Sequence, residues 1–187
     1  MIKKIVIIGP ESTGKSTLAA ALAGHFETRW VPEFARRFLL TNGTNYSYDD
    51  LLTIAQGQLQ QEDEETNALE KEGRLQPAGA APLPLFIDTD MYVMKVWCEF
   101  VFEKCHRFIL QQIVERKYDL YLLCNTDLPW VKDELREYPD PETRRRLFHI
   151  YKDLMINQSV PWVEIKGPAE HRLAQALRAT EQVLLPQ

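Results

Sequence analysis

The residues with the plainest chemical capacity are GPESTGKS at 9–16, where Gly9 and Gly14 bracket four residues and Lys15 and Ser16 follow at once. This spacing suits one task. The glycines permit a tight turn whose backbone N–H groups point inward at phosphate oxygens, and a helix beginning at the turn adds its positive end. Lys15 can then reach the β- and γ-phosphates of a triphosphate, and the Ser16 hydroxyl can face Mg²⁺. Gly9, Ser12, Thr13, Gly14, Lys15, Ser16 and Thr17 are therefore the candidate ATP-binding residues. No glycine stands between Gly9 and Gly14, so the dinucleotide fingerprint G-x-G-x-x-G is excluded.

A bound triphosphate can be hydrolysed, sensed or used as a phosphoryl donor. The apolar run at 118–124 is followed by NTDLPW rather than the N-K-x-D that would read guanine, which argues against a GTPase. A hexameric or motor ATPase needs a further domain or assembly surface, and 187 residues leave little chain for one. Phosphotransfer to a small molecule is the economical reading. It requires a carboxylate for the metal shell, a group for the acceptor hydroxyl, and cations against the migrating phosphoryl.

LFIDTD puts Asp88 at the end of an apolar run, at the sheet edge where ligands of α/β folds collect, with Asp90 two residues on. Asp88 is the candidate Mg²⁺ carboxylate and Asp90 a candidate for the acceptor; the alternative for both is capping of the next helix. Glu33 and Arg36, in WVPEFARR, are candidates for the acceptor proton and a substrate oxygen, against a plain surface pair. Arg136, Arg144, Arg145 and Arg146 flank EYPDPET, so the segment around 127–146 reads as a lid folding over the phosphates, with Arg136 a catalytic candidate, Arg144 and Arg145 further ATP-binding candidates, and a solvated triplet as the alternative. Trp97 and Trp130 are candidates for stacking on a flat, cationic ring, and the remaining aromatics of 92–108 read as core. The four histidines lack ligand spacing.

Positioning these residues calls for alternating strands and helices. KIVIIG (4–9), LFID, YDLYLLCN (118–125) and VPWVEIKG (160–167) read as strands of a mostly parallel sheet, and 31–40 as a strand end running into a helix. Helices are expected after the loop, from 51 to about 71 with a mostly solvated surface, over 92–117 as two helices meeting near Cys105 and His106, before 158, and over the last segment. Asp49 or Asp50 is expected to cap the helix from 51, and the prolines of QPAGAAPLP (76–84) argue against helix or central strand. Together these give one α/β domain over 1–187, a sandwich covered by helices on both faces, with a helical extension around 41–80.

Bulk composition sets the outer limits. The net charge of −5, with acids bunched at 61–73, argues against a nucleic-acid surface, and no apolar run reaches the roughly 18 residues of a membrane span. MIKKIVII lacks a small-residue cleavage site and reads as a strand. Three cysteines without a C-x-x-C pair suit a reducing, cytoplasmic setting.

The ordered set GPESTGKST, PEFARRFL, TIAQGQLQ, FIDTD and YDLYLLCNTDLPWVKDELRE resembles the ribosylnicotinamide kinase domain of bacterial NadR-type proteins, over about residues 3–180. The resemblance implies a P-loop kinase with a five-stranded parallel sheet that phosphorylates the 5′-hydroxyl of nicotinamide riboside with MgATP. By the same resemblance Glu33 and Arg36 match E-[FY]-A-R, Asp88 and Asp90 match D-T-D near the metal, hydroxyl and ribose, and Trp130 and Arg136 match the segment leading into the lid. Bifunctional relatives carry an upstream nucleotidylyltransferase domain, some also a DNA-binding helix-turn-helix; with the kinase strand at residue 4, neither adenylylation nor repression is expected. A kinase for another nucleoside and a nucleotide-gated binding module are the alternatives.

Overall fold

Five short apolar runs lie side by side in parallel in the computed structural model, which describes residues 1–73, 77 and 80–185. In chain order the elements are β1 (Ile2–Ile8), α1 (Lys15–His25), β2 (Trp30–Val31), α2 (Phe34–Asn42), α3 (Tyr48–Gly73) and β3 (Leu83–Asp88). There follow α4 (Met91–Phe102), α5 (Arg107–Glu115), β4 (Leu120–Cys124), α6 (Pro141–Asn157), β5 (Trp162–Ile165) and α7 (Ala169–Leu184). The strand order is β2-β3-β1-β4-β5, with every pairing parallel. β1 is central, and the chain reverses direction of travel across the sheet beside it, so the ends of β1, β3 and β4 open onto one crevice.

Alternation along β1 explains the two-sided core. Val6 and Ile8 join Ile87, Leu123, Leu147 and Tyr151 on one face; Ile5 and Ile7 join Leu18, Leu22, Phe86, Leu122 and Ala176 on the other. Both sets are excluded from water, which is why these strands read as continuous apolar runs. A third cluster, with Leu51, Ile54, Met94, Cys98 and Ile109, joins α3 to α4 and α5 beyond the sheet edge. Among the described residues no helix is long and apolar enough to cross a membrane.

Three local expectations change. The start of α3 is a capping box: the Asp50 carboxylate accepts from the Ser47 backbone N–H and the Ser47 hydroxyl faces the Asp50 N–H, so the cap is Ser47 and Asp50 reaches back to it. Pro84 lies inside β3, an interior strand. It is tolerated because Leu83 donates to Met1 on the β1 side, so the missing N–H of Pro84 faces the side where β2 pairs only from Phe86 onward. Residues 76, 78 and 79 of that proline-rich stretch lie outside the described residues. Finally, α6 begins at Pro141, so the last residues of the segment expected as a lid around 127–146, the arginine triplet among them, form the first turns of a helix.

Candidate active site

The loop after β1 folds as its glycines require. Gly9 has φ +138, and a Cβ there would fall 2.6 Å from the Cys124 carbonyl oxygen at the end of β4. Gly14 caps α1 at φ +78, a conformation that L side chains rarely adopt. The first turn of α1 carries no acidic residue, leaving its N-terminal dipole free for an anion. The Lys15 ammonium rests on the Pro10 carbonyl at 3.0 Å, and the Thr13 hydroxyl donates to the same oxygen at 2.7 Å. Buried Arg172 of α7 supports the loop from behind, donating to the carbonyls of Thr13, Asn125 and Gly167 and pairing with Asp127.

In front of the loop lies a cavity of about 420 Å³. One end is the loop itself, residues 9–17; the other is walled by Val93, Val96, Trp97 and Phe100 of α4, with Leu135 and Tyr138 opposite. Glu33, Arg36 and Arg136 line it as well. Glu33 sits at the N-terminus of α2 without capping it, so its carboxylate is not consumed there. Arg36 is largely exposed and forms a two-point pair with Asp133 at 3.1 and 3.3 Å. Arg136 donates to the Val131 carbonyl.

Asp88 is fully buried, and neither of its carboxylate oxygens has a hydrogen-bond partner. Burial, reinforced by the charge of Glu33, pushes its carboxyl up to about 6, while Lys15 and the Ser16 hydroxyl pull the other way. Two buried carboxylate oxygens without hydrogen-bond partners, beside Lys15 and Ser16, fit a bound cation. The donor set is hard oxygen with few protein ligands, which suits Mg²⁺. Among the described residues no cluster of three or more His, Cys, Asp or Glu side chains could hold a metal by itself.

Several candidates sit elsewhere. Asp90 is fully engaged: one carboxylate oxygen accepts from the backbone N–H groups of Tyr92 and Val93, capping α4, and the other accepts from the Tyr121 hydroxyl at 2.9 Å. It is excluded from the cavity wall and its carboxyl is pushed up to about 7, chiefly by burial, so the capping alternative holds for it. The Trp130 indole donates to Glu11 at 3.1 Å and does not line the cavity, whereas Trp97, the other tryptophan candidate, does, beside Phe100, Tyr138 and Tyr151. Arg144 is buried behind the loop, donating to the carbonyls of Ser12 and Leu128, and Arg145 is exposed beside a second cavity walled by Asn125, Asp127 and His149. Neither lines the first cavity, and both line the second.

The structure adds residues that motif reading passed over. Gln58 of α3, 1% exposed, receives the Phe34 N–H on its carbonyl at 2.7 Å and donates to the Asp88 carbonyl at 3.2 Å. It thereby fixes the chain beside Glu33 against the chain at Asp88. Its signal was a polar residue on the buried stripe Ile54, Ala55, Gln58, Leu59. Tyr46 accepts from the Trp97 indole at 2.9 Å and donates to Glu137 at 3.0 Å, joining three elements around the apolar end.

The cavity thus joins a phosphate-loop end to an aromatic end with Glu33 on its wall, and Asp88 lies buried beside Lys15 and Ser16 without lining it. The family described as "AAA domain" matches residues 4–172. The chain belongs to this AAA domain family. Among curated proteins it is 27% identical over 169 residues to the "Trifunctional NAD biosynthesis/regulator protein NadR" of Salmonella typhimurium, and likewise to that of Escherichia coli K12. These alignments take in 88% of the chain but 38% of either relative. Two NadR crystal structures share the fold of this AAA domain chain. One, in complex with NR, gives a TM-score of 0.74 at 22% identity over 99% of the chain and 50% of the other; the second, with NAD and AMP-PNP, gives 0.69 at 21% over the same shares. Thymidylate kinase from Ehrlichia chaffeensis gives 0.67 at 13% identity, covering 96% of this chain and 98% of that one. The expected P-loop kinase fold with its five-stranded parallel sheet is thus the fold observed.

Proposed function

We propose that the chain is an ATP-dependent kinase that transfers the γ-phosphoryl group to the 5′-hydroxyl of nicotinamide riboside, giving nicotinamide mononucleotide and ADP. The observation that carries this reading is the single cavity running from the phosphate loop, past Glu33, to the half-buried Trp97. Its lining joins the phosphate loop to an aromatic end within one cavity of about 420 Å³. The likeness to NadR, one structure of which is a complex with NR and another with AMP-PNP, supports both occupants.

In this reading the backbone N–H groups of 11–17 and the positive end of α1 hold the phosphates, and Lys15 neutralises charge on the migrating group. Glu33, free of capping duties and lining the cavity, takes the proton of the attacking hydroxyl. Ser16 and Asp88 would hold Mg²⁺, which when bound neutralises charge on the β- and γ-oxygens. Trp97 offers its face to the nicotinamide ring. Glu137, at the same end, offers a carboxylate to a pyridinium cation; burial raises its carboxyl, while the bond from Tyr46 pulls the other way. Arg136 lies on the segment opposite and offers a further cation during transfer. Residues 1–187 then work as one kinase unit, with 127–146 as its lid. The three cysteines are unpaired, which supports a cytoplasmic location.

The test is ADP release from MgATP with and without nicotinamide riboside, with Lys15→Ala as the blank. Acceptor-stimulated release that disappears in the blank is the expected result. Equal release with uridine or deoxyribonucleosides would assign the chain to another nucleoside.

A further inference from the structure

Position 11 is one of the four that the phosphate-loop pattern leaves free, and a carboxylate beside a triphosphate is an unexpected occupant. The Glu11 side chain turns away to the segment between β4 and α6. Its Oε1 accepts from the Tyr138 backbone N–H at 2.7 Å and from the Trp130 indole at 3.1 Å, and its Oε2 accepts from the Glu137 backbone N–H at 2.9 Å. The adjacent Ser12 hydroxyl accepts from the Val131 backbone N–H at 3.0 Å. Two successive loop residues therefore grip both ends of 130–138, a stretch with little regular structure of its own.

That stretch is the cavity wall opposite α4: Leu135, Arg136, Glu137 and Tyr138 all line it. The Tyr138 ring meets Phe100 edge to face at 5.4 Å, and Glu137 meets Tyr46. With three N–H donors on one carboxylate, the charge of Glu11 is offset away from the phosphates, and the wall is fixed to the loop by charge-assisted bonds.

We propose that Glu11 is the positioning residue of the acceptor half of the site: the loop holds phosphate with its backbone and holds the acceptor wall with this one side chain. Occupation of the loop by the donor and placement of the wall that recognises the acceptor are thereby coupled through residues 11 and 12. The part of this inference that concerns acceptor affinity rests on the proposed kinase reading; the part that concerns residues 130–138 does not.

Glu11→Gln tests it with little change of shape. The carboxamide would turn an NH₂ toward one of the N–H donors, so at least one bond is replaced by a clash of donors. Two readouts are taken together. Amide hydrogen exchange at Glu137 and Tyr138 is expected to speed up tenfold or more in the variant. The KM for nicotinamide riboside is expected to rise at least tenfold, while ATP affinity stays within threefold and the melting temperature moves little. Trp130→Phe, which removes a single donor, should give a smaller change of the same kind, and the double variant should be no worse than Glu11→Gln alone. Unchanged exchange at 137 and 138 in both single variants would overturn the proposal. So would a loss of ATP affinity as large as the loss of acceptor affinity, which would make Glu11 a support of the phosphate loop alone. If wild type formed no mononucleotide, the kinase reading would fail, and the exchange measurement would still decide the role of Glu11.

Discussion

The two ends of the cavity are built in opposite ways. At the phosphate end the working groups are backbone N–H donors on consecutive residues, shaped by Gly9 and Gly14 and propped by Arg172. At the acceptor end they are side chains from three separate places, Glu33 before α2, Trp97 on α4 and Glu137 before α6, the last two bridged by Tyr46. A site made by local backbone geometry is compact in sequence and tolerant of what surrounds it. One assembled from scattered side chains depends on whatever holds those elements together, so single changes far from the chemistry should affect it.

Lys15→Ala attacks the phosphate end and should have the largest effect. Turnover should fall at least about 10²–10³-fold, the scale for removing one group aimed at transition-state charge, with the fold retained by circular dichroism. Asp88→Asn should come next, losing roughly 100-fold in turnover by the same argument.

That second variant also has a signature in stability. Because the Asp88 carboxyl is raised to about 6 in the folded protein, the metal-free fold holds its proton between its ordinary range and pH 6. Stability from this group is fully present below about pH 4 and is lost as pH rises to 6. Asn does not ionise, so metal-free Asp88→Asn should be more stable than wild type above pH 6, by roughly 1–3 kcal/mol, with the difference vanishing toward pH 4. Chemical denaturation in EDTA across that window checks the sign. A variant less stable than wild type at pH 8 would mean that the carboxylate is not the buried, unpaired group seen here.

Gln58→Leu sharpens the comparison from the acceptor side. It leaves the Phe34 N–H without its partner, at a cost of about 1–3 kcal/mol, and releases the chain at Glu33 from the chain at Asp88. Turnover should drop about tenfold, the effect of slightly misplaced reacting groups, with ATP affinity nearly intact. The smallest effect on chemistry is expected for Asp90→Ala, which removes the α4 cap. Denaturation should show a loss of about 1–2 kcal/mol, while the KM for either substrate changes little. A large rise in acceptor KM instead would return Asp90 to the binding site.

The same contrast explains what could be read from the residues alone. The phosphate loop and the strand alternation were legible because each is a local pattern: glycine spacing in one case, runs of β-branched residues buried on both faces in the other. Asp88 was legible because it ends such a run. Asp90, two residues on, has the same sequence context, yet its carboxylate is spent on the Tyr92 and Val93 amides and on Tyr121, a partner 31 residues away. Which way each arginine of the triplet faces was not legible, because it is set by the helix that Pro141 starts: Arg144 turns to the Ser12 and Leu128 carbonyls, while Arg146 lies over the Phe100 ring at 5.5 Å. Glu11 left no trace in sequence, since its partners are two backbone N–H groups 126 and 127 residues distant and an indole 119 residues away.

The most direct test of the central claim is to incubate the chain with Mg²⁺, nicotinamide riboside and ATP labelled with ¹⁸O on its γ-phosphoryl oxygens, and to weigh the products. A mononucleotide carrying all three heavy oxygens, absent with Lys15→Ala, is the predicted outcome. Label appearing only in inorganic phosphate, with the riboside unchanged, would contradict the account and leave a nucleotide hydrolase in its place.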